Sequence, residues 1–233
     1  MCKYFLTWRL IWPSDPDLVV TGGLRLENCW STIGRPPVSE WPFLVNGEEG
    51  PSMRRAKKEI QDRTILIGLL ETCHVGRLGT IGGDGYPMVK PLNFSYHDGN
   101  LYFHSAREGE KIDDIKRDNR ICFEVDLPIA LVKSRGVPCK AEYLYRSVIV
   151  KGRAHIVDDP SERYTALRRL MEKYQPEGGY GEFPEEKTAI TGIVRIDIEE
   201  MTGKEDLGKE SLKKAVMKAL EEKVQLPIIL ERE

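Results

Sequence analysis

The chain has 233 residues, of which 40% are hydrophobic, with 35 basic and 37 acidic residues and a formal net charge of −2. A chain of this length can bury one substantial core, so one domain with extensions is the simplest organisation. The near balance of charge gives no reason to expect nucleic acid or an anionic membrane surface as a partner.

The five cysteines are widely spaced and form neither a CxxC pair nor a zinc-ligand pattern. We therefore expect reduced thiols, a cytoplasmic location and no metal site. The opening segment is a poor secretory signal, and no run reaches the ~18 apolar residues that a membrane span requires.

Residues 1–52 differ in composition from the rest, because they contain all four tryptophans, many prolines and little hydrophobic periodicity. They fit an irregular arm over a partner or ligand, a linker, or translated sequence upstream of a natural start at Met53. We therefore predict an irregular extension over residues 1–52, the main domain over 53–204 and a charged helical tail over 205–233.

The first predicted element after Met53 is a helix over residues 54–72, interrupted near Asp62. Strand-like runs follow, and glycine-rich turns at residues 82–85 and 98–100 join them as hairpins. The predicted strands of this half cover residues 74–81, 86–96 and 101–105.

The second half alternates strands and helices. A short helix within residues 109–119 carries Lys111 in its first turn, and Asp159 with Pro160 begins a longer helix. A further amphipathic helix is predicted after Gly203. About six antiparallel strands with peripheral helices favour a small barrel over a doubly wound sheet; the remaining predicted strands cover residues 120–127, 140–157 and 190–199.

Two prolines, Pro87 and Pro91, lie inside a strand-like run and cannot donate ladder hydrogen bonds. One interpretation is an edge strand or a bulge. The other is that free backbone groups face a planar ligand, with Lys90 and Asn93 as polar contacts.

In residues 101–112 a strand ends at His104 and Ser105, and a loop leads into the helix that contains Lys111. A hydroxyl, backbone N–H groups and an ammonium can together bind a phosphate. The alternative is that Ser105 only caps a turn and Lys111 is solvated. His104 has no partner at a spacing typical of a triad or metal site, and a lone histidine beside an aromatic strand is more often a structural hydrogen-bonding residue than a catalyst.

Several segments in this order resemble the FMN-binding split-barrel superfamily that includes pyridoxamine 5′-phosphate oxidase, and most of all its nitroimidazole-resistance (Nim) proteins. They are MRRAKKEI at 53–60, GRLGT at 76–80, GYPMVKPLNF at 85–94, LYFHSAREGEKIDDI at 101–115, CFEVD at 122–126, YRSVIVKGRA at 145–154 and EEMTGK at 199–204. The resemblance covers residues 53–204. It implies a mainly β fold with peripheral helices, built on a six-stranded antiparallel Greek-key split β-barrel.

The resemblance also implies FMN as cofactor and a homodimer with FMN sites at the subunit interface. It assigns ring and ribityl contacts to the strand before Phe94, the phosphate to the strand-to-helix corner, and further contacts to the second subunit. Glu110 beside Lys111 departs from the basic residues that related oxidases have in this turn. Either the phosphate affinity is weaker than in those oxidases, or Lys90 and Arg107 compensate. The implied cofactor-binding residues are Val89, Lys90, Leu92, Asn93, His104, Ser105, Lys111, Arg146 and Ser147.

The activity implied is that of an NAD(P)H-linked oxidoreductase acting on a small acceptor such as a nitroaromatic compound, with His104 as candidate proton donor or acceptor. The arginine and histidine that bind substrate in pyridoxamine phosphate oxidase have no match near the C-terminus, so we do not expect that activity. The alternatives are a non-catalytic flavin- or haem-binding carrier or sensor, and a deazaflavin-dependent reductase.

Overall fold

The computed structural model describes residues 8–12, 15–22 and 56–232, and these belong to two compact units. The larger unit contains residues 56–126 and 147–203, and the smaller unit contains the remaining described residues. The helices are α1 (Arg63–Thr72), α2 (Glu110–Arg117), α3 (Pro160–Tyr174), α4 (Glu185–Ile190) and α5 (Glu210–Glu221), with 3-10 turns at Ala56–Lys58 and Pro138–Lys140.

The strands of the larger unit follow one another in the sheet order β4-β3-β7-β8-β9-β6-β5, and the pairs with a defined register are antiparallel. Strands β7, β8 and β9 also have residues in the smaller unit. The strands of the described residues are β1 (Trp8–Trp12), β2 (Asp15–Gly22), β3 (Gly76–Ile81), β4 (Pro87–Leu92), β5 (Ser95–His97), β6 (Asn100–Ser105), β7 (Arg120–Ser134), β8 (Glu142–Ile156), β9 (Gly192–Asp206) and β10 (Ile228–Arg232).

The mainly antiparallel β architecture is confirmed, but the prediction of six strands is wrong. The larger unit has seven, because the predicted strand 86–96 is divided into β4 and β5 at Asn93 and Phe94. Here the hydroxyl of Tyr174 accepts a hydrogen bond from the Phe94 N–H at 3.0 Å, in place of a strand partner. That these strands close into a Greek-key barrel stays a prediction.

The helix boundaries follow the capping signals. Asp62, where the first predicted helix was interrupted, is the N-cap of α1 and accepts a hydrogen bond from the Thr64 N–H at 2.8 Å. Asp159 caps α3 in the same way through the Glu162 N–H at 2.7 Å. Each cap satisfies a backbone donor that the first turn of a helix leaves without an intrahelical partner.

The core of the larger unit contains several fully buried aromatic rings. Phe94 and Phe123 meet edge to face with ring centroids 4.9 Å apart, and Phe103 on β6 is also fully buried. Burying rings of this size supplies much of the free energy that holds such a unit together.

The smaller unit has its own apolar cluster, in which α5, the amphipathic helix predicted after Gly203, buries Leu212 and Val216. After α5 the chain forms β10, which pairs in parallel with β7 and antiparallel with β2. Most of the predicted extension 1–52 lies outside the described residues, and its described parts are the strands β1 and β2, paired antiparallel. The predicted boundaries at residues 52 and 204 stay predictions.

Candidate functional site

Strand β4 is an edge strand, because among the described residues it pairs with β3 alone. Pro87 and Pro91 both lie on this strand, so the edge-strand interpretation of the two prolines is confirmed. Val89 is 64% exposed, and Asn93, directly after the strand, is also exposed. The edge is thus accessible at Val89 and Asn93, whereas Lys90 and Leu92, also predicted to contact a flavin, are half-buried.

The corner between β6 and α2 has the features of an anion site. β6 ends at Ser105, and Gly109 precedes α2 with φ 111° and ψ 169°, a conformation that is essentially restricted to glycine. No side chain in the described part of the protein caps α2, so from these residues the N–H groups of its first turn receive no side-chain acceptor. These N–H groups and the positive end of the helix dipole favour a negative group at this point.

Two lysines from different elements meet at this corner. Burial, and then the positive charge of Lys90 on β4, lower the pKa of Lys111 on α2. The Lys111 ammonium lies 5.1 Å from the centroid of the buried Phe103 ring. A nearby anion would offset both the mutual repulsion of two such ammonium groups and the cost of burying them.

Asp114 anchors α2 to β3. Its carboxylate is 2% exposed and accepts hydrogen bonds from the Thr80 hydroxyl on β3 and from the Arg117 guanidinium, each at 2.9 Å. Burial alone would raise the pKa of Asp114, but these bonds and the charges of Arg117 and Lys90 lower it. The group is therefore an ionised and fully paired anchor.

The residues present fit a phosphate group. The Lys90 Nζ atom is inaccessible to solvent, and no hydrogen-bond acceptor reaches it among the described residues. Glu110 Oε2 lies 2.8 Å away as an ion pair, without the geometry of a hydrogen bond. Glu110 thus offsets the charge of Lys90 but leaves its N–H donors without a well-directed acceptor, which is costly for a buried group, and a phosphate oxygen is an acceptor of the required charge.

The structure brings some of the predicted residues together and leaves others untested. Lys90 and Lys111 come close enough for the positive charge of Lys90 to lower the pKa of Lys111. His104 is exposed and Ser105 half-buried at the end of β6, where they lie opposite Ile193 and Gly192 of β9. Neither side chain has a hydrogen bond or ion pair within the described part of the chain, so their roles stay predictions.

Arg146 and Ser147, predicted to contact FMN in a second subunit, lie next to one another on β8. The Arg146 guanidinium belongs to the smaller unit and pairs with Glu205 at 2.9 Å, with its side chain only 13% exposed. This arginine is already neutralised within its own unit, whereas the Ser147 hydroxyl is half-buried on the opposite face of the strand.

Tyr174 is a structural contributor that the sequence patterns missed. It is the last residue of α3, whereas Tyr164 near the start of the same helix is 43% exposed. The Tyr174 hydroxyl lies 2.6 Å from the His74 carbonyl oxygen and 3.0 Å from the Phe94 nitrogen. Tyr174 therefore holds the backbone immediately after Asn93, at the end of the proposed flavin-contacting strand.

Lys173, the preceding residue, has an unusual environment. Its ammonium lies 3.5 Å from the Phe94 ring centroid and donates a hydrogen bond to the Leu70 carbonyl at 3.0 Å. Burial lowers the pKa of Lys173 to about 8, although Cys73 and Glu71 act in the opposite direction. Burial also raises the pKa of the Cys73 thiol to about 11.

Other surfaces offer less support for a site. Two surface cavities lie elsewhere, one of about 400 Å³ beside residues 115–119 and one of about 560 Å³ beside residues 195–199. Neither is lined by any of the predicted cofactor-binding residues. No cluster of His, Cys, Asp and Glu in the described ranges could hold a metal ion. None of the helices described is both long enough and apolar enough to cross a membrane.

Comparison with known proteins adds an independent observation. Residues 62–205 match the protein family described as pyridoxamine 5′-phosphate oxidase. A protein described as a 5-nitroimidazole antibiotic resistance protein from Bacteroides thetaiotaomicron is 25% identical, with a TM-score of 0.56 over 63% of this chain and 85% of that one. No curated protein sequence gives a significant match.

Two further solved structures share the fold, each with a TM-score of 0.59. The flavocytochrome Anf3 of Azotobacter vinelandii is 20% identical over 70% of this chain and 77% of its own. A FAD- and haem-binding protein of Mycobacterium smegmatis is 17% identical over 68% of this chain and 79% of its own. Because the family match extends from the N-cap of α1 to the end of β9, the chain belongs to the pyridoxamine 5′-phosphate oxidase family of the FMN-binding split-barrel superfamily.

Proposed function

We propose that the protein binds FMN and acts as an NAD(P)H-linked oxidoreductase on a small acceptor. The observation that carries this proposal is the buried Lys90 ammonium beside Lys111 at the uncapped start of α2. This arrangement has the charge and the donors that a terminal phosphate requires. The solved structure that is 25% identical makes nitroaromatic compounds the first acceptors to test.

The proposed roles divide between the corner and the edge strand. Lys111, the first N–H groups of α2 and the Ser105 hydroxyl bind the phosphate. Val89, Leu92 and Asn93 contact the ring and ribityl chain along the edge of β4, which pairs with β3 alone among the described residues. Lys90, on the same strand, reaches towards the phosphate with its ammonium. FMN, when bound, supplies the redox chemistry, while the protein binds and orients it and adjusts its electronics.

His104 is the proposed proton donor or acceptor, because its imidazole is exposed beside the corner and has no partner among the described residues. If it transfers a proton, His104→Gln should lower kcat while leaving the FMN dissociation constant unchanged. If the affinity for FMN fell by the same factor as kcat, His104 would be a binding residue only.

A homodimer is the proposed assembly. Large apolar side chains are exposed around β3 and β4, among them Tyr86 at 71% and Val89 at 64%. A second copy would remove these side chains from water, which favours association. Ser147 of a second copy stays a proposed contact, whereas Arg146 would first have to leave Glu205.

The decisive experiment is the absorbance spectrum of the purified protein, followed by NAD(P)H oxidation with nitro, quinone and iron acceptors. Bands near ~375 and ~450 nm would support a flavin, whereas an intense Soret band would identify a haem carrier and a band near ~420 nm a deazaflavin. A flavin-loaded protein that oxidised no nicotinamide with any of these acceptors would refute the enzymatic part of the proposal. The mass in solution tests the dimer.

A further inference from the structure

Glu110 occupies a distinctive position in the anion corner. Its Oε2 atom lies 2.8 Å from the Lys90 Nζ atom, which water does not reach. The Glu110 side chain itself is 61% exposed and can move into solvent without rearranging the core. The carboxylate therefore covers Lys90 at the point where an anionic ligand would approach it.

The net charge of the corner follows from its paired and unpaired groups. Asp114 is neutralised by Arg117 at 2.9 Å, so these two charges cancel. Lys90 and Lys111 contribute two positive charges, and Glu110 removes one of them. These five side chains together therefore carry about one net positive charge, although a phosphomonoester carries nearly two negative charges at neutral pH.

We propose that Glu110 is a selectivity residue that competes with the ligand phosphate for Lys90. Because Coulomb energy scales with the charge at a given distance, the carboxylate weakens the binding of the FMN phosphomonoester, which has nearly two negative charges on one phosphate, more than that of FAD. The diphosphate of FAD has one charge on each of two phosphates, so only one of these charges lies at the corner. It therefore reduces the preference of the corner for FMN over FAD. This inference rests on the proposed flavin site.

The test is the dissociation constant of FMN, FAD and riboflavin, measured by flavin fluorescence for the wild type and Glu110→Gln. Riboflavin has the same ring and ribityl chain but no phosphate, so it reports contacts other than the corner. We expect Glu110→Gln to tighten FMN binding roughly tenfold and FAD binding roughly threefold, and to leave riboflavin binding unchanged. The matched control is Glu108→Gln, which removes an exposed carboxylate from the same loop and should change FMN binding less than about twofold.

A double-mutant cycle identifies the partner. If Glu110 acts through Lys90, Glu110→Gln should lose most of its effect on FMN binding in a Lys90→Ala background. Three results would each overturn the selectivity role: an undiminished effect of Glu110→Gln in the Lys90→Ala background, equal tightening of all three flavins, or no tightening of FMN. Each of them would leave the proposed function standing. A wild-type protein that bound none of the flavins would instead overturn the proposed function and this inference together.

Discussion

Replacing Lys173 with methionine tests whether the charge of this buried ammonium destabilises the larger unit. Burial lowers the pKa of Lys173 from its ordinary value of 10.5 to about 8 in the folded protein. The folded state therefore releases this proton more readily than the unfolded state. Keeping the group charged in the folded state costs about 3 kcal/mol, since each pH unit between the two values corresponds to about 1.4 kcal/mol.

The sign of the pH dependence follows from proton linkage. Below the folded pKa both states carry the proton and the cost is fully present. As pH rises from about 8 towards 10.5, the unfolded state binds more protons, so the free energy of unfolding of the wild type increases relative to the methionine variant. Between pH ~7 and pH ~9.5 this relative gain should be about 2 kcal/mol.

Urea denaturation of both proteins at the two pH values measures this difference. The lost hydrogen bond to the Leu70 carbonyl affects the variant at both pH values, so it largely cancels in the comparison. Lys116→Met, at an exposed position on α2, is the control and should change the free energy of unfolding equally at both values. If Lys173→Met also changed the free energy of unfolding equally at both pH values, the reasoning would be wrong. The Phe94 ring and the Leu70 carbonyl would then offset the cost of burying the charge in full.

Three further predictions concern the corner and its support. Lys111→Ala should weaken FMN binding by about 1.5–3 kcal/mol through the loss of a charge-assisted contact, and unchanged FMN affinity would remove this residue from the site. Tyr174→Phe should lower the free energy of unfolding by about 1–3 kcal/mol, because it leaves the buried Phe94 N–H without an acceptor. Tyr164→Phe, on the exposed face of α3, should change this free energy by less than about 0.5 kcal/mol. Gly109→Ala should cost about 1–3 kcal/mol in thermal or urea unfolding, since its positive φ excludes a side chain, while Gly68→Ala within α1 should be neutral or stabilising. Equal effects of the two glycine substitutions would show that the backbone at the corner is not constrained.

Local signals in the sequence were sufficient to predict some of the elements. Asp159 and Pro160 define the start of α3, because capping involves atoms only three residues apart. The corner between Ser105 and Lys111 was also predictable, since its strand, loop and helix are contiguous in the chain. Its assignment to a flavin phosphate came from the family resemblance and remains a proposal.

Contacts between distant segments were not predictable in this way. Tyr174 divides a strand that lies 80 residues earlier, and no periodicity within either segment indicates this contact. The pairing of Lys90 with Glu110 likewise depends on how β4 and α2 come together. In the smaller unit, the short apolar run of β10 became a strand because β2 and β7 supply partners on both sides.

The prolines of β4 have a consequence for the behaviour of the protein at high concentration. An open strand edge normally invites pairing with the edge of another molecule, the first step towards fibrils and precipitates. Pro87 and Pro91 remove amide donors from this edge, so it cannot serve as a continuous template for such growth. The chain can thus keep a backbone edge accessible to a small ligand and still resist aggregation through that edge.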